Sequence, residues 1–320
     1  MKALVTGGAG FIGSHLAERL LKDGNNVAVI DNLSTGSLEN IESFSNHSSF
    51  EFVKGDIRNV ELMEPLVEQS DVIFHLAAAV GVRLIAEDPV HTIETNIGGT
   101  EIVLNIANKF GRKILIASSS EVYGKSEAVP FHEDDDIVLG STCLSRWSYA
   151  CTKAVDEFLG LAFHQQYGLD VVICRFFNTI GSRQTGLYGM VVPRFIQMAL
   201  NGQTLQIYGT GKQTRCFCYI ADLVEAVIGL MNYRQASGKV FNIGNNEEIS
   251  IEELADKIMK ITDSTSKKEF VPYEIAYGRP MEDMMRRVPS LERIKKTIGW
   301  EPKTSLDETL KLITESIKQS

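Results

Sequence analysis

No stretch of the 320 residues approaches the roughly 18 consecutive apolar positions that a membrane-spanning helix needs. The opening apolar run Ala3-Leu4-Val5 meets glycines too soon for the core of an export signal. Neither a membrane nor export is therefore expected. Cysteine is sparse: Cys143, Cys151, Cys174, Cys216 and Cys218 are odd in number and show no CxxC spacing, which argues against a disulfide framework or a zinc site and for a reducing cytoplasm. The six histidines contain no HxxxH pair. The acidic run Glu133 to Asp136 has no EF-hand spacing around it and reads as a solvated loop, so no metal is assigned. Positive charge is in deficit, 32 Lys and Arg against 41 Asp and Glu, and a net charge of −9 offers no basic face to nucleic acid. Low-complexity sequence is also missing. With 44% hydrophobic and 23% charged residues the chain has the composition of an ordinary globular protein.

What is present is a rhythm. Short, almost wholly apolar runs at Ala3–Thr6, Val27–Ile30, Phe50–Val53, Val72–Leu76, Ile114–Ala117 and Val171–Cys174 alternate with helix-period segments. Strands buried on both faces of a parallel sheet look like this, so the pattern predicts a doubly wound α/β (Rossmann) domain. After Arg175 the sequence turns to loops rich in glycine and aromatics, then an amphipathic helix at Ile251–Ile261. A helix at Asp222–Met231 followed by Val240–Ile243 reads as a βα piece returning to the main sheet. The expectation is a coenzyme-binding unit of residues 1–176 plus about 217–243, interleaved with a smaller substrate-binding unit of about 177–216 plus 244–320.

The first strand runs into Gly7-Gly8-Ala9-Gly10-Phe11-Ile12-Gly13 and then a helix. Glycines at these offsets permit a tight turn, close approach of backbone to a pyrophosphate and close helix–strand packing, while the helix N-terminus supplies free N–H groups. Asp31 ends the second strand, 18 residues beyond Gly13. A carboxylate there can accept ribose hydroxyls and would repel a 2′-phosphate, so NAD is expected over NADP. Asp56 also follows a strand; read alone, it is as readily a turn residue.

Tyr149 and Lys153 are four apart in a helix-competent stretch and so share one helical face. An ammonium beside a phenol favours the phenolate, a base able to remove a sugar hydroxyl proton. Ser118-Ser119-Ser120 ends the fifth strand, at the carboxyl edge where such sheets bind ligands.

These motifs, with Asp31-Asn32-Leu33, Gly55-Asp56, His75-Leu76-Ala77-Ala78, Asn96-Ile97-Gly98-Gly99-Thr100 and Ser120-Glu121-Val122-Tyr123-Gly124, resemble the extended short-chain dehydrogenase/reductases, the nucleotide-sugar epimerases, dehydratases and decarboxylases. The resemblance covers essentially the whole chain. It implies NAD held by Gly7, Gly10, Phe11, Ile12, Gly13, Asp31, Asn32, Asp56, Ile57, Leu76, Ala77, Ala78, Asn96, Ser118, Tyr149 and Lys153. It also implies a nucleotide sugar held by Ser120, Asn178, Pro193, Tyr208 and Arg215, and catalysis through a 4-keto sugar by Tyr149, Lys153 and Ser119. Arg183, Arg215, Arg279 and Arg287, in a chain of net −9, suit an anionic ligand.

Within that family, Ser120-Glu121 lacks the acid of the Asp-Glu pair found in dTDP-glucose-type dehydratases, and Glu121 tilts away from simple epimerases. Arg146-Trp147-Ser148-Tyr149, Lys212 to Phe217 and Arg287-Val288-Pro289-Ser290 resemble UDP-glucuronate decarboxylases. The implied reaction is UDP-glucuronate to UDP-xylose: the C4 ketone makes the C6 carboxylate a β-keto acid, and Arg287 and Glu121, or a water oriented by Glu121, serve the later steps. As bare residues, Arg286 and Arg287 would read as surface charge. A 4-epimerase of UDP-glucose or UDP-glucuronate is the alternative, followed by a 4,6-dehydratase or a non-catalytic NAD sensor. An apolar stripe of Ala150, Ala154, Phe158, Leu161 and Ala162, together with the resemblance, implies a homodimer through this helix and that of Asn96–Lys109.

Overall fold

The computed structural model describes residues 1–81, 88–186, 190–277, 282 and 284–319. The first half alternates strictly: β1 Lys2–Thr6, α1 Phe11–Lys22, β2 Asn26–Asp31, the one-turn α2 Glu39–Glu42, β3 Phe50–Lys54, α3 Val60–Glu68 and β4 Val72–His75. There follow α4 Pro89–Ile93, a π-helical turn Glu94–Gly98, α5 Gly99–Phe110, β5 Lys113–Ser119, α6 Ser148–Tyr167 and β6 Val171–Phe176. Every apolar run expected to be a strand is one. The two-residue β7 Thr179–Ile180 then leads to α7 Val191–Leu200, β8 Leu205–Tyr208, β9 Thr214–Cys216, β10 Cys218–Tyr219, α8 Ile220–Asn232 and β11 Lys239–Ile243. Last come β12 Glu248–Ser250, α9 Ile251–Ile261, β13 Lys268–Val271, α10 Tyr273–Tyr277, α11 Glu292–Ile298 and α12 Leu306–Gln319.

Seven strands form one parallel sheet in the order β11-β6-β5-β4-β1-β2-β3. This is the doubly wound order, with β11 added beside β6, so the expected return of Val240–Ile243 to the sheet is seen. Both faces are covered. One core cluster packs α1 and α8 on the sheet through Leu16, Leu20, Leu223 and Val227. The other packs α3 and α5 through Met63, Val67, Val103 and Leu104. Burial on both sides is why alternation of polar and apolar residues is missing from these strands.

A third cluster, including Ile180, Phe195, Ile207, Leu254, Leu310 and Ile313, lies in β7, α7, β8, α9 and α12. α9 starts on a capping box in which Ser250 and Glu253 each accept from the other's backbone N–H. The segment around α11 departs from the sequence expectation for residues 244–320: Ile294 and Trp300 join the core on the α1 face of the sheet. Trp300 Nε1 donates to the carbonyl of Asp222, anchoring that return at 3.0 Å.

Candidate active site

The carboxyl ends of β1, β4, β5 and β6 converge on one edge, and the site is built there. Gly7 has φ +70°, and a Cβ on it would lie 2.9 Å from the Ala77 backbone after β4. A Cβ at Gly13 would lie 2.2 Å from the Gly7 carbonyl oxygen. The glycines thus let turn, helix and neighbouring loop meet at backbone distance. α1 begins at Gly10 with no side-chain cap and no acidic residue in its first turn, so its N–H groups and positive dipole end are uncompensated. Gly7, Gly10, Phe11 and Ile12 are half-buried, forming a cradle that fits a dinucleotide pyrophosphate.

Asp31 is buried, with Oδ2 accepting from Ala9 N at 3.0 Å and Oδ1 from Leu33 N at 2.8 Å. Burial lifts its pKa while those amides pull it back. With the amides of Leu33, Ala9 and Gly10 on it, the carboxylate keeps an acceptor site for a ribose hydroxyl. Asp56 is held by Arg58 through two bonds of 2.9 and 2.8 Å, and Asn32 reaches it at 3.4 Å. Arg58 outweighs burial and lowers the Asp56 carboxyl to about 2. Ile57 is buried under Gly99, while Leu76, Ala77 and Ala78 are half-buried on the loop after β4. Asn96, in the π-helical turn, accepts from Ala79 N and donates to Thr152 Oγ1, and so ties that loop to α6.

Tyr149 and Lys153 both face inward from α6 and are buried. Ser119 hydrogen-bonds the Tyr149 phenol and accepts from Glu121 N at 3.2 Å. Lys153 has a carboxylate partner on the same helix as well. Burial first, then Glu121 and Asp156, raise the Tyr149 pKa against the effect of Ser119, and Lys153 Nζ donates to Asp156 at 3.1 Å. Beneath them His75 is fully enclosed between Thr6 and Thr100; burial, then Lys153, depress it to about 3, so it stays neutral.

Glu121 and Arg287, far apart in sequence, meet at 2.7 Å. Arg146 approaches the other carboxylate oxygen at 2.5 Å. Burial would raise the Glu121 carboxyl, but Arg287, Arg146 and then Arg215 overcome it and hold the group at about 2. Arg287 also donates to Ser120 Oγ at 3.5 Å. Arg286, by contrast, is an exposed residue paired with Glu248 at 2.7 Å. Of two adjacent arginines one is surface charge, as bare residues suggest, and the other is buried in the site.

Several expected site residues are occupied otherwise. Ser118 Oγ donates to Glu157 at 2.5 Å, and Arg175 holds Glu157 at 2.9 and 2.7 Å, so Ser118 belongs to a buried network behind Ser119. Arg183 pairs with Glu18 on α1 at 2.6 Å and does not join Glu121. Arg279 lies outside the described residues; of the other three expected arginines, Arg215 and Arg287 act on Glu121. Arg215 is buried, donating to the carbonyls of Thr214 and Met284. Asn178 donates to the Cys216 carbonyl at 3.0 Å, Pro193 is buried in α7, and the Tyr208 ring lies under the Arg194 guanidinium at 4.0 Å. Glu133 departs from the expected solvated loop: it is buried and accepts from Asn242 N, while Asp134 pairs with Arg293.

Two residues of the site escaped sequence reading as such. Arg146 stands three before Tyr149, inside the resembling segment, but nothing in the sequence says that its side chain turns to Glu121. Asp156 sits one helical turn beyond Lys153, a spacing that does signal a pair. Among the described residues no group of three or more metal-ligating side chains occurs. Nor is any helix there long and apolar enough to cross a membrane.

Comparison with known proteins adds to this geometry. The profile of a family described as GDP-mannose 4,6 dehydratase matches residues 4–313. The chain is 43% identical over 311 residues to a UDP-N-acetyl-alpha-D-glucosaminuronate decarboxylase of Bacillus cytotoxicus, covering 97% of this chain and 95% of that one. It is 39% identical to UDP-glucuronic acid decarboxylase 1 of Danio rerio, covering 97% of this chain and 71% of that one. In structure it is similar to the UDP-glucuronic acid 4-epimerase of Bacillus cereus in complex with UDP-glucuronic acid and NAD, at TM-score 0.90 and 31% identity, over 100% and 99% of the two chains.

Proposed function

The chain belongs to the family described as GDP-mannose 4,6 dehydratase, the NAD-dependent enzymes that modify nucleotide sugars, and from that premise we propose that it removes C6 of a UDP-hexuronate as CO₂, converting UDP-glucuronate to UDP-xylose. The observation that carries this reading is Glu121 between Arg287 and Arg146, beside Ser119 and Tyr149. An ionised carboxylate held by guanidinium groups is poor equipment for protonating a leaving C6 hydroxyl, as dehydration would need, and the guanidinium groups suit a sugar that carries a carboxylate. Decarboxylases among the relatives support the same choice.

The Gly7–Gly13 cradle and Asp31 would hold NAD, which would supply a reversible hydride acceptor for C4 of the sugar. Tyr149 accepts the C4 hydroxyl proton, with Ser119 on the same oxygen and Lys153 one turn along α6. With C4 oxidised, the C5–C6 bond breaks, its electron pair moves to C5 and the C4 oxygen, and CO₂ leaves. The protonated Tyr149 and Ser119 stabilise the enolate oxygen. Glu121, at about 2, stays ionised near neutral pH, so a water it orients delivers the proton to C5. Arg287 holds the carboxylate end of the sugar, while Arg215, Asn178, Tyr208 and Pro193 serve the nucleotide sugar from about 177–216 and Ser120 serves it from the turn after β5. Residues 1–176 plus about 217–243, with Ile294 and Trp300 packed on their α1 face, form the coenzyme unit. Five free cysteines accord with a reducing cytoplasm.

A second reading has its own observation: the relative at 43% identity acts, by its name, on UDP-N-acetyl-glucosaminuronate. Each uronate is therefore offered separately and the product weighed. Loss of CO₂ from UDP-glucuronate supports the proposal. Loss only from the N-acetyl sugar moves the substrate to the second reading, and an isobaric product identified as UDP-galacturonate makes the protein a 4-epimerase.

A further inference from the structure

On α6, a helix turning about 100° per residue, Asp156 falls about 20° from Tyr149 two turns on, with Lys153 between them. Asp156 Oδ2 accepts from Lys153 Nζ at 3.1 Å, and the Lys153 and Asp156 side chains are 3% and 0% exposed. In helical order Lys153 thus lies between Tyr149 and Asp156, and it is out of water. Groups from every neighbouring element face this line. Glu157 of the same helix and Thr100 of α5 face Asp156. Neutral His75 of β4 faces Lys153. Ser119 of β5 and Glu121 of the turn after it face Tyr149, and Arg287 and Arg146 face Glu121.

Asp156 fixes the Lys153 side chain through their 3.1 Å bond, and its negative charge opposes formation of phenolate at Tyr149. We propose that Asp156 is a positioning residue for the Tyr149 step: it aligns the Lys153 ammonium with the phenol and offsets part of its charge, so the Lys153–Asp156 pair, rather than Lys153 alone, sets the pH at which Tyr149 becomes a base. The inference rests on the reading of Tyr149 as the C4 base.

The test is the pH profile of kcat/KM for UDP-glucuronate, or for the uronate that reacts, in the NAD-loaded enzyme. Asp156→Asn removes the charge at nearly constant shape, and Asp156→Ser removes it with a smaller side chain. Both should move the acid limb to lower pH by about one unit, because loss of a neighbouring negative charge favours phenolate. Asp156→Glu, restoring the charge, should return the limb toward wild type, and UDP binding measured by calorimetry should be unchanged in all three. An acid limb of Asp156→Asn and Asp156→Ser that superposes on wild type overturns the inference. Tyr149→Phe separates this from failure of the underlying reading: a Tyr149→Phe enzyme as active as wild type removes Tyr149 as the base, whereas an inactive one leaves the Asp156 result to stand or fall alone.

Discussion

At Gly13 an added methyl group would meet the Gly7 carbonyl oxygen at 2.2 Å and the Gly8 Cα at 2.6 Å, both backbone atoms that cannot swing away. Gly13→Ala is therefore expected to cost about 1–3 kcal/mol of stability and to weaken NAD binding, read by thermal unfolding with and without NAD. His75 gives the second expectation at this scale. Its folded pKa, about 3, lies below the ordinary 6.5, so the stability linked to it is fully present above pH 6.5 and falls as acid protonates the unfolded chain first. Between about pH 6 and pH 4 each pH unit should remove about 1.4 kcal/mol on this account. In His75→Asn the slope of unfolding free energy against pH should be shallower by one proton; an unchanged slope would show that His75 is protonated in the folded protein.

The helix α6 concentrates more of the site than any other element: Tyr149, Lys153, Asp156 and Glu157 all face inward along it. Just before it, Arg146 reaches Glu121 with only 9% and 14% of the two side chains exposed. Truncating one partner of a buried ion pair leaves the other charge unbalanced, so Arg146→Met should lower stability by about 3 kcal/mol and slow CO₂ release. Combined with Glu121→Gln, the two losses should sum to less than their separate values, because the second change removes the charge that the first stranded.

How much of this was legible in the sequence follows from the range of the interactions. Local ones could be read: the glycine turn, the strands buried on two faces, the YxxxK face and the amphipathic α9. Pairings between distant positions could not. Ser118 is a serine at a strand end in any reading, and only the fold brings Glu157 and Arg175 beneath it. Glu133 sits in an acidic run that looks solvated, yet the backbone N–H of Asn242 draws it inside. Arg286 and Arg287 are indistinguishable as neighbours; the bridge between Phe131 and Pro289 fixes the path of this segment, and their side chains go to Glu248 and Glu121.

For the molecule as a whole, the apolar stripe of α6 divides. Ala150 and Ala154 are buried in the chain's own core, while Phe158, 67% exposed, and Ala162 remain outside. On α4, Val90 and Ile93 are exposed as well. A homodimer through the outer face of α6 would cover Phe158. Sedimentation should give about twice 35.5 kDa, and Phe158→Asp should give the single mass. Wild type sedimenting as a single chain at micromolar concentration would reject the assembly.

β11 closes the sheet beside β6, yet more than sixty residues separate the end of one strand from the start of the other. A chain emerging from the ribosome at about 5–20 residues per second would therefore present the edge of β6, with its fully buried apolar residues, unpaired for several seconds. During that interval Tyr149, Lys153 and Glu121 already exist while Arg287 does not. The order of synthesis thus supplies the arginine facing Glu121 only after β11 is in place, and it makes the nascent protein most vulnerable to edge-to-edge aggregation before β11 arrives.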